Sequence, residues 1–223
     1  MQVNNTSINY WVVGGKNNMV WILINIINWF VITIIVDAYL MTLPKLEWKM
    51  KKSVPEVYQI INNNRIDIQD NYECAAFSSA YVFRHFGIDA DGIKLYEDFP
   101  NKMRTGYVYP KGIINNTRNY GFQISYRKGN IETLKYHISK GVPVIVFIKV
   151  FNNKNYTHYV PVTGYDKEYF YLAESLNFLV NCEDNNGLFN RKIAVKEFKK
   201  LWNTKAIKMP IYSNTYFVLS TNY

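Results

Sequence analysis

The sequence predicts an α+β protein, a helical half packed on an antiparallel sheet, preceded by a membrane-spanning helix. Three observations predict it. An uncharged apolar stretch, MVWILINIINWFVITIIV, fills Met19 to Val36. Apolar residues then recur at helical spacing in the segments between Cys74 and Lys140. From Pro143 onward the pattern changes to short runs of β-branched and aromatic residues broken by turn signals.

Taken in order, residues 1–18 read as a polar extension and 19–43 as a transmembrane helix. Asp37 interrupts the apolar run, and AYLMTL carries its character on to Leu43. Trp11, Trp21, Tyr39 and Trp48 lie near its ends, where amphipathic rings favour the membrane interface. Asn25 and Asn28, three apart, share a helix face suited to a polar contact with a partner helix. The alternatives are a buried helix of a soluble domain and a cleaved signal peptide. Only Lys16 precedes the apolar core, so the basic segment of a signal peptide is lacking; Met19 is an alternative start. Lys45, Lys49, Lys51 and Lys52 follow the span, and the positive-inside rule then puts the C-terminal domain in the cytoplasm.

Two prolines, Pro44 and Pro55, bound a juxtamembrane linker over 44–55, and 56–223 form the globular domain. Its first helix is expected from Cys74 to Phe86 (CAAFSSAYVFRHF), stopped by Gly87. Further helices are expected at Gly92–Phe99, at Lys111–Asn119 ahead of Gly121, and after an Asn130 cap through IETLKYHISK to Gly141. Pro143–Val150 is a buried strand, and His158–Tyr165 and Tyr169–Ala173 form a hairpin turned at Asp166-Lys167-Glu168. A short helix at Val195–Trp202 and a strand at Tyr216–Ser220 close the chain. Helices gathered before strands in this way describe an α+β layout.

Composition narrows the function. The formal net charge of +9 comes from residues scattered along the chain or paired with acids, as in Asp166-Lys167-Glu168, and no nucleic-acid-binding motif is present. Nucleic acid is therefore not an expected partner. The 2 cysteines, Cys74 and Cys182, stand alone rather than at metal-ligand spacing, and a single bridge between them is the remaining structural use. No metal or organic cofactor is called for. Sequons begin at Asn5, Asn115 and Asn155, and a glycan on the last would crowd His158, which favours a bacterial setting.

Cys74 opens an expected helix after a polar loop, where unpaired N–H groups and the helix dipole stabilise negative charge. A cysteine beside two alanines is more often a small core residue. The choice turns on the histidines, of which there are 3. His85 and His137 sit within expected helices, whereas His158 opens a strand after the polar loop NNKNYT. One thiol and one imidazole are the minimum for nucleophilic catalysis. Glu174, at the end of the next strand of the hairpin, is placed to accept the imidazole N–H and fix its orientation.

The stretch from Gln69 to Gly87, Q-x4-C-A-A-F-S-S-A-Y-V-F-R-H-F-G, resembles the nucleophile helix of the C39-like, papain-fold cysteine peptidases. The stretch from His158 to Glu174, HYVPVTGYDKEYFYLAE, resembles the second signature of that family, in which a His begins a strand, a Gly-Tyr-Asp turn follows and an acid closes the next strand. The resemblance spans Val54 to Tyr223 and implies a papain-like fold. It also implies Cys74 as nucleophile, His158 as general base, Glu174 as the orienting acid and Gln69 as side-chain donor to the oxyanion hole. Where the family usually carries Asp or Asn, this chain has Glu174 followed by Ser175, and Asn177 is the alternative orienting residue. Gln69 stands five residues before the cysteine, one fewer than the family spacing, with Asn71 as the alternative donor.

The resemblance implies a peptidase or related amide hydrolase working through a thioester acyl-enzyme on a peptide or protein substrate. The alternative is a catalytically inactive, membrane-tethered peptide-binding module of the same fold. Family members proper remove leader peptides inside ATP-driven exporters; with no P-loop in this sequence, that role is carried by analogy alone.

Overall fold

The computed structural model describes residues 10–48, 53–154, 156–205 and 212–221, with backbone only for 10–17, 37 and 38. The chain forms two compact units, one ending at Thr42 and one beginning at Leu43.

The first unit holds helix α1, Tyr10–Met41. The second half of the segment expected as a polar extension is therefore helical, from Tyr10; residues 1–9 lie outside the described part. Within α1, Asn18–Met41 is long and apolar enough to cross a membrane, with a mean hydropathy of 2.4 over an 18-residue window. Trp21 and Trp29 project outward. The polar side chains on this stretch fold back on their own helix: Asn25 donates to the Trp21 carbonyl and Thr33 to that of Trp29, each at 2.8 Å. Such back-bonding satisfies a polar group where no water can reach it.

The second unit begins with the short strand β1, Lys45–Leu46, and β2, Tyr58–Gln59. Helices α2 (Cys74–His85), α3 (Gly92–Glu97) and α4 (Pro110–Asn119) follow. Then come β3 (Gln123–Lys128), α5 (Ile131–Ile138), β4 (Val144–Lys149), β5 (Thr157–Tyr165) and β6 (Tyr169–Leu172). A 3₁₀ turn at Asn177–Leu179 precedes β7 (Arg191–Ala194), α6 (Val195–Trp202) and β8 (Thr215–Ser220).

The strands join in one sheet of order β1-β3-β8-β4-β5-β6-β7, with β2 pairing beside β5. All pairings are antiparallel save the two-residue contact of β1 with β3. The expected linker is thus partly built into the sheet. Glu47 fixes it there: its carboxylate takes bonds from Arg127 at 2.8 Å, His137 at 2.9 Å and Tyr216 at 2.5 Å. β1, β2, β3 and β7 are additions to the expected strands; β3 lies between β1 and β8, and β7 forms the edge beyond β6.

The core follows from the pattern. β4 is buried along nearly its whole length, as a central strand covered on both faces should be. On one face α5 and α6 bury Leu134, Ile138, Phe198 and Trp202 against Val146, Val160, Phe170 and Tyr216. Phe198 stacks on Phe170 at 4.3 Å, and the Trp202 indole N–H donates to the Thr215 carbonyl at 3.0 Å. Asn130 starts α5 through a reciprocal capping box with Thr133. On the other face α2 packs against β5. It is buried from Cys74 through Phe83, with Ala75, Ala76 and Ala80 allowing close approach to the strand.

Candidate active site

Cys74 is the first residue of α2, and Glu73 precedes it as the N-cap. The Glu73 carbonyl starts the helix by accepting from Ala76 and Phe77, while its carboxylate accepts from the Asn71 N–H at 2.7 Å. This turn fixes the loop that leads into the cysteine. The first N–H groups of a helix have no partner within it, so the Cys74 end of α2 presents free donors next to the sulfur. Both cysteines are free thiols, so the bridge left open by the sequence is not formed.

His158 is the second residue of β5, paired across to Ile148 of β4, and is 2% exposed. Its Nε2–H donates to Glu174 Oε1 at 2.7 Å. Cys74 lines the same cleft as His158, and its side chain lies near enough to act on the charge of the ring. With Nε2 committed to Glu174, Nδ1 is the nitrogen left for the sulfur. One turn further along α2, Ser78 donates to the carbonyl of Tyr159 at 2.9 Å, joining the cysteine helix to the histidine strand.

Glu174 lies two residues beyond the end of β6 and is fully buried. Oε1 accepts a second bond from the Leu176 N–H at 2.8 Å, and Oε2 accepts from Arg191 Nη1 at 2.7 Å. The Asn190 side chain clamps the Glu174 backbone from both sides, at 2.7 and 2.9 Å. Asn177, the alternative orienting residue, is exposed in the 3₁₀ turn.

The electrostatics follow from these contacts. Burial alone would discharge the imidazole, but the Glu174 carboxylate and the Cys74 side chain outweigh it and raise His158 to about 9. Burial likewise opposes the charge on Glu174, and the His158 ring, Arg191 and the Leu176 N–H hold it well below the usual carboxylate range. The pair is an ion pair. His85 and His137 differ: burial pulls both down, and they bond Asn62 and Glu47 respectively, away from Cys74.

Gln69 is buried and lines the same cleft as Cys74 and His158. Its Nε2 donates to the Asn71 carbonyl at 2.7 Å, and its Oε1 accepts from the Ser175 hydroxyl at 2.6 Å. The Gln69 N–H donates to the Ser175 carbonyl, so the segments bearing Gln69 and Glu174 are stitched together. One Nε2 hydrogen remains for a ligand. Asn71, the alternative donor, also lines the cleft.

The cleft encloses about 240 Å³. Tyr72 and Tyr107, with ring centroids 4.8 Å apart, form one aromatic wall, and Phe151 and Phe178, 6.2 Å apart, form another. A larger depression of about 520 Å³ shares Val150, Phe151 and Phe178 with it but contains neither cysteine nor histidine. Cys74 and His158 both line the smaller one. Among the described residues no group of three His, Cys, Asp or Glu side chains could hold a metal.

Sequence reasoning named neither Arg191, Asn190 nor Ser78. An arginine at the head of RKIA is indistinguishable in sequence from a solvated one, and only the β6–β7 pairing of Leu172 with Arg191 brings it to Glu174.

The profile of the Peptidase_C39 like family matches residues 51–205. No curated protein matches the chain. Among solved structures, the chain is similar to the peptidase domain of Streptococcus ComA, a bi-functional ABC transporter involved in a quorum sensing pathway. There the TM-score is 0.55 at 16% identity, over 72% of this chain and 100% of that one. A C39-like peptidase from Bacillus anthracis gives 0.53 at 16% identity, over 76% and 100%. A double glycine motif protease from an AMS/PCAT transporter, in complex with the leader peptide, gives 0.50 at 17% identity, over 78% and 97%. At these identities the likeness is one of fold: helices packed on a sheet in the papain-like manner.

Proposed function

This chain belongs to the Peptidase_C39 like family, and from that premise we propose that it is a membrane-anchored cysteine peptidase acting on peptide or protein substrates. The observation that carries the reading is the His158–Glu174 contact of 2.7 Å in a cleft that Cys74, at the start of α2, also lines.

In this reading His158 already holds the proton that Cys74 has given up, and the thiolate sulfur attacks a peptide carbonyl carbon. The developing oxyanion is met by the Cys74 backbone N–H and the remaining Gln69 Nε2 hydrogen; one such donor is typically worth about 3 kcal/mol of barrier. As the C–N bond breaks, His158 returns the proton to the leaving amine. Neutral His158 then takes a proton from water, whose oxygen attacks the thioester, and the acid product leaves as the thiol reforms. Glu174 keeps the ring turned toward the sulfur throughout. The aromatic walls of the cleft suit an extended peptide chain rather than a small charged ligand.

Helix α1 is the anchor, and Lys45 beyond it argues for a peptidase domain on the cytoplasmic side. The leader peptide in complex with the AMS/PCAT transporter protease makes a leader-like peptide the first class to try on this cleft.

The test needs no known substrate. The rate of Cys74 alkylation by iodoacetamide is followed against pH in the wild type and in His158→Ala, with Cys182→Ser in both. Fast alkylation near pH 6 that falls at least about tenfold in His158→Ala supports the reading. Equal, slow rates in both proteins would leave a peptide-binding shell without activity.

A further inference from the structure

Each polar group of Glu174 has a partner, and two of those partners come from one dipeptide, Asn190-Arg191 at the start of β7. Asn190 takes the Glu174 N–H and supplies its carbonyl, and Arg191 Nη1 reaches Oε2 at 2.7 Å. The Arg191 side chain is 8% exposed and that of Glu174 is wholly buried. Breaking a buried pair of this kind leaves an uncompensated charge, so the arrangement is a demanding one to keep.

Its use becomes clear from the proton traffic of the proposed reaction. His158 must alternate between imidazolium and neutral imidazole. While it is charged, Glu174 lies between two cations, His158 on Oε1 and Arg191 on Oε2. When His158 hands its proton to the leaving amine, the buried carboxylate keeps one cation, and a guanidinium does not titrate in this range. Without Arg191 the imidazolium would be the sole counter-charge of a buried anion, and His158 would hold its proton against both proton donation and the later activation of water.

We propose that Arg191 is a positioning residue for the peptidase reaction: it holds Glu174 charged and aimed while His158 releases and retakes its proton. The role rests on the reading of Cys74 and His158 given above. The other titratable groups facing the pair are Cys74 on α2 and, along the cleft wall, Asp70, Tyr72, Tyr107 and Tyr156; none of these touches Oε2.

The experiment is an NMR titration of the full chain in micelles with ¹⁵N-labelled histidine. The 3 histidines are few enough for His158 to be identified by its loss in His158→Gln. Arg191→Gln keeps a hydrogen-bond donor beside Oε2 but removes the charge. The His158 midpoint is expected to rise by about one pH unit, a tenfold gain in proton affinity, and Arg191→Lys to bring it back toward the wild type. An unchanged midpoint in folded Arg191→Gln overturns the proposal.

Should Arg191→Gln fail to fold, Glu174→Gln carries the test. The unopposed Arg191 charge must then add to burial in holding His158 below the free value of about 6.5, so Arg191→Gln on that background must raise the midpoint, and an unmoved midpoint overturns the role. The iodoacetamide profile separates the two readings. A slow, His158-independent Cys74 removes the peptidase and Arg191's role together. A fast, His158-dependent Cys74 with an unmoved His158 midpoint removes Arg191's role alone.

Discussion

Ser78 and Tyr159 are joined by a buried hydrogen bond of 2.9 Å, from the serine hydroxyl to the backbone carbonyl next to His158. It is the side-chain link between the element that carries the cysteine and the one that carries the histidine. Since α2 and β5 come from distant parts of the sequence, their spacing depends on how the helix seats on the sheet. The alanines at 75, 76 and 80 let it come close, and Ser78 sets where along β5 it stops. Ser78→Ala leaves a buried carbonyl short of one partner and is expected to lower stability by about 1–2 kcal/mol. It should also slow Cys74 alkylation without abolishing it, because the imidazole is intact and only its distance from the sulfur is loosened. Urea denaturation and the alkylation rate, measured on one preparation, check both.

The His158–Glu174 ion pair gives stability a pH dependence of definite sign. His158 is raised from 6.5 to about 9, so its contribution is complete below about 6.5 and is lost as pH climbs through 9. Glu174 is lowered from 4.5, so its contribution is present above that value and fades as pH falls below it. The pair is worth most between about pH 4.5 and 6.5. His85 and His137 are shifted down by burial and pull the other way on the acid side. The quantity to measure is therefore the difference in melting temperature between wild type and His158→Ala. It should shrink steadily from pH 6.5 to 9; a constant difference over that range would contradict the ion pair.

Glu174 and Asn177 were both candidates for orienting His158, and the two predict opposite variants. Glu174→Ala removes a buried carboxylate and strands Arg191, an expected loss of about 3–5 kcal/mol. If the chain still folds, Cys74 alkylation should lose its dependence on His158. Asn177→Ala removes an exposed side chain and should change stability by no more than about 0.5 kcal/mol and the alkylation profile not at all. A strong effect of Asn177→Ala would mean that the 3₁₀ turn closes over the site during reaction.

Most of the elements could be read from the chain because their cues are local. Asn130 three residues before Thr133, and the apolar spacing after Cys74, specify α5 and α2 without help from the rest of the fold. β4 and β5 were legible as dense apolar runs. β7 was not, since its buried positions are Arg191 and Ile193, so one of the two inward side chains is a charge that reads as solvent-facing. β3, QISYRK, has a single fully buried residue, Tyr126, and so shows no clean alternation. β1 and β2 are two residues long and exist only through their partners. The Gly-Tyr-Asp turn gains its reason from the structure: a Cβ on Gly164 would lie 2.8 Å from the Tyr58 carbonyl oxygen, so β2 could not pair there. In the site, the cysteine, histidine and acid were readable as residue types at element ends. The Arg191 and Asn190 clamp was not, because it depends on strand register.

The apolar part of α1 makes the largest claim on the biology. Its 24 residues from Asn18 to Met41 span about 36 Å at 1.5 Å per residue, more than the roughly 30 Å hydrocarbon core of a bilayer. None of its most apolar 18-residue window is buried within the protein. Exposed Trp21, Ile22, Ile27, Trp29, Phe30 and Ile35 would face water if no membrane took them up, at about 1.5–3 kcal/mol for each such side chain. The bonds of Asn25 and Thr33 to their own helix reduce what those polar groups would cost in lipid. The full chain is therefore expected to sediment with phospholipid vesicles and to resist extraction by alkaline carbonate. A chain beginning at Leu43 should remain in the supernatant and keep the Cys74 alkylation profile, since the site lies wholly in the second unit. Extraction of the full chain by carbonate would instead make α1 a surface for another protein. Loss of Cys74 reactivity in the shortened chain would mean that the site depends on α1.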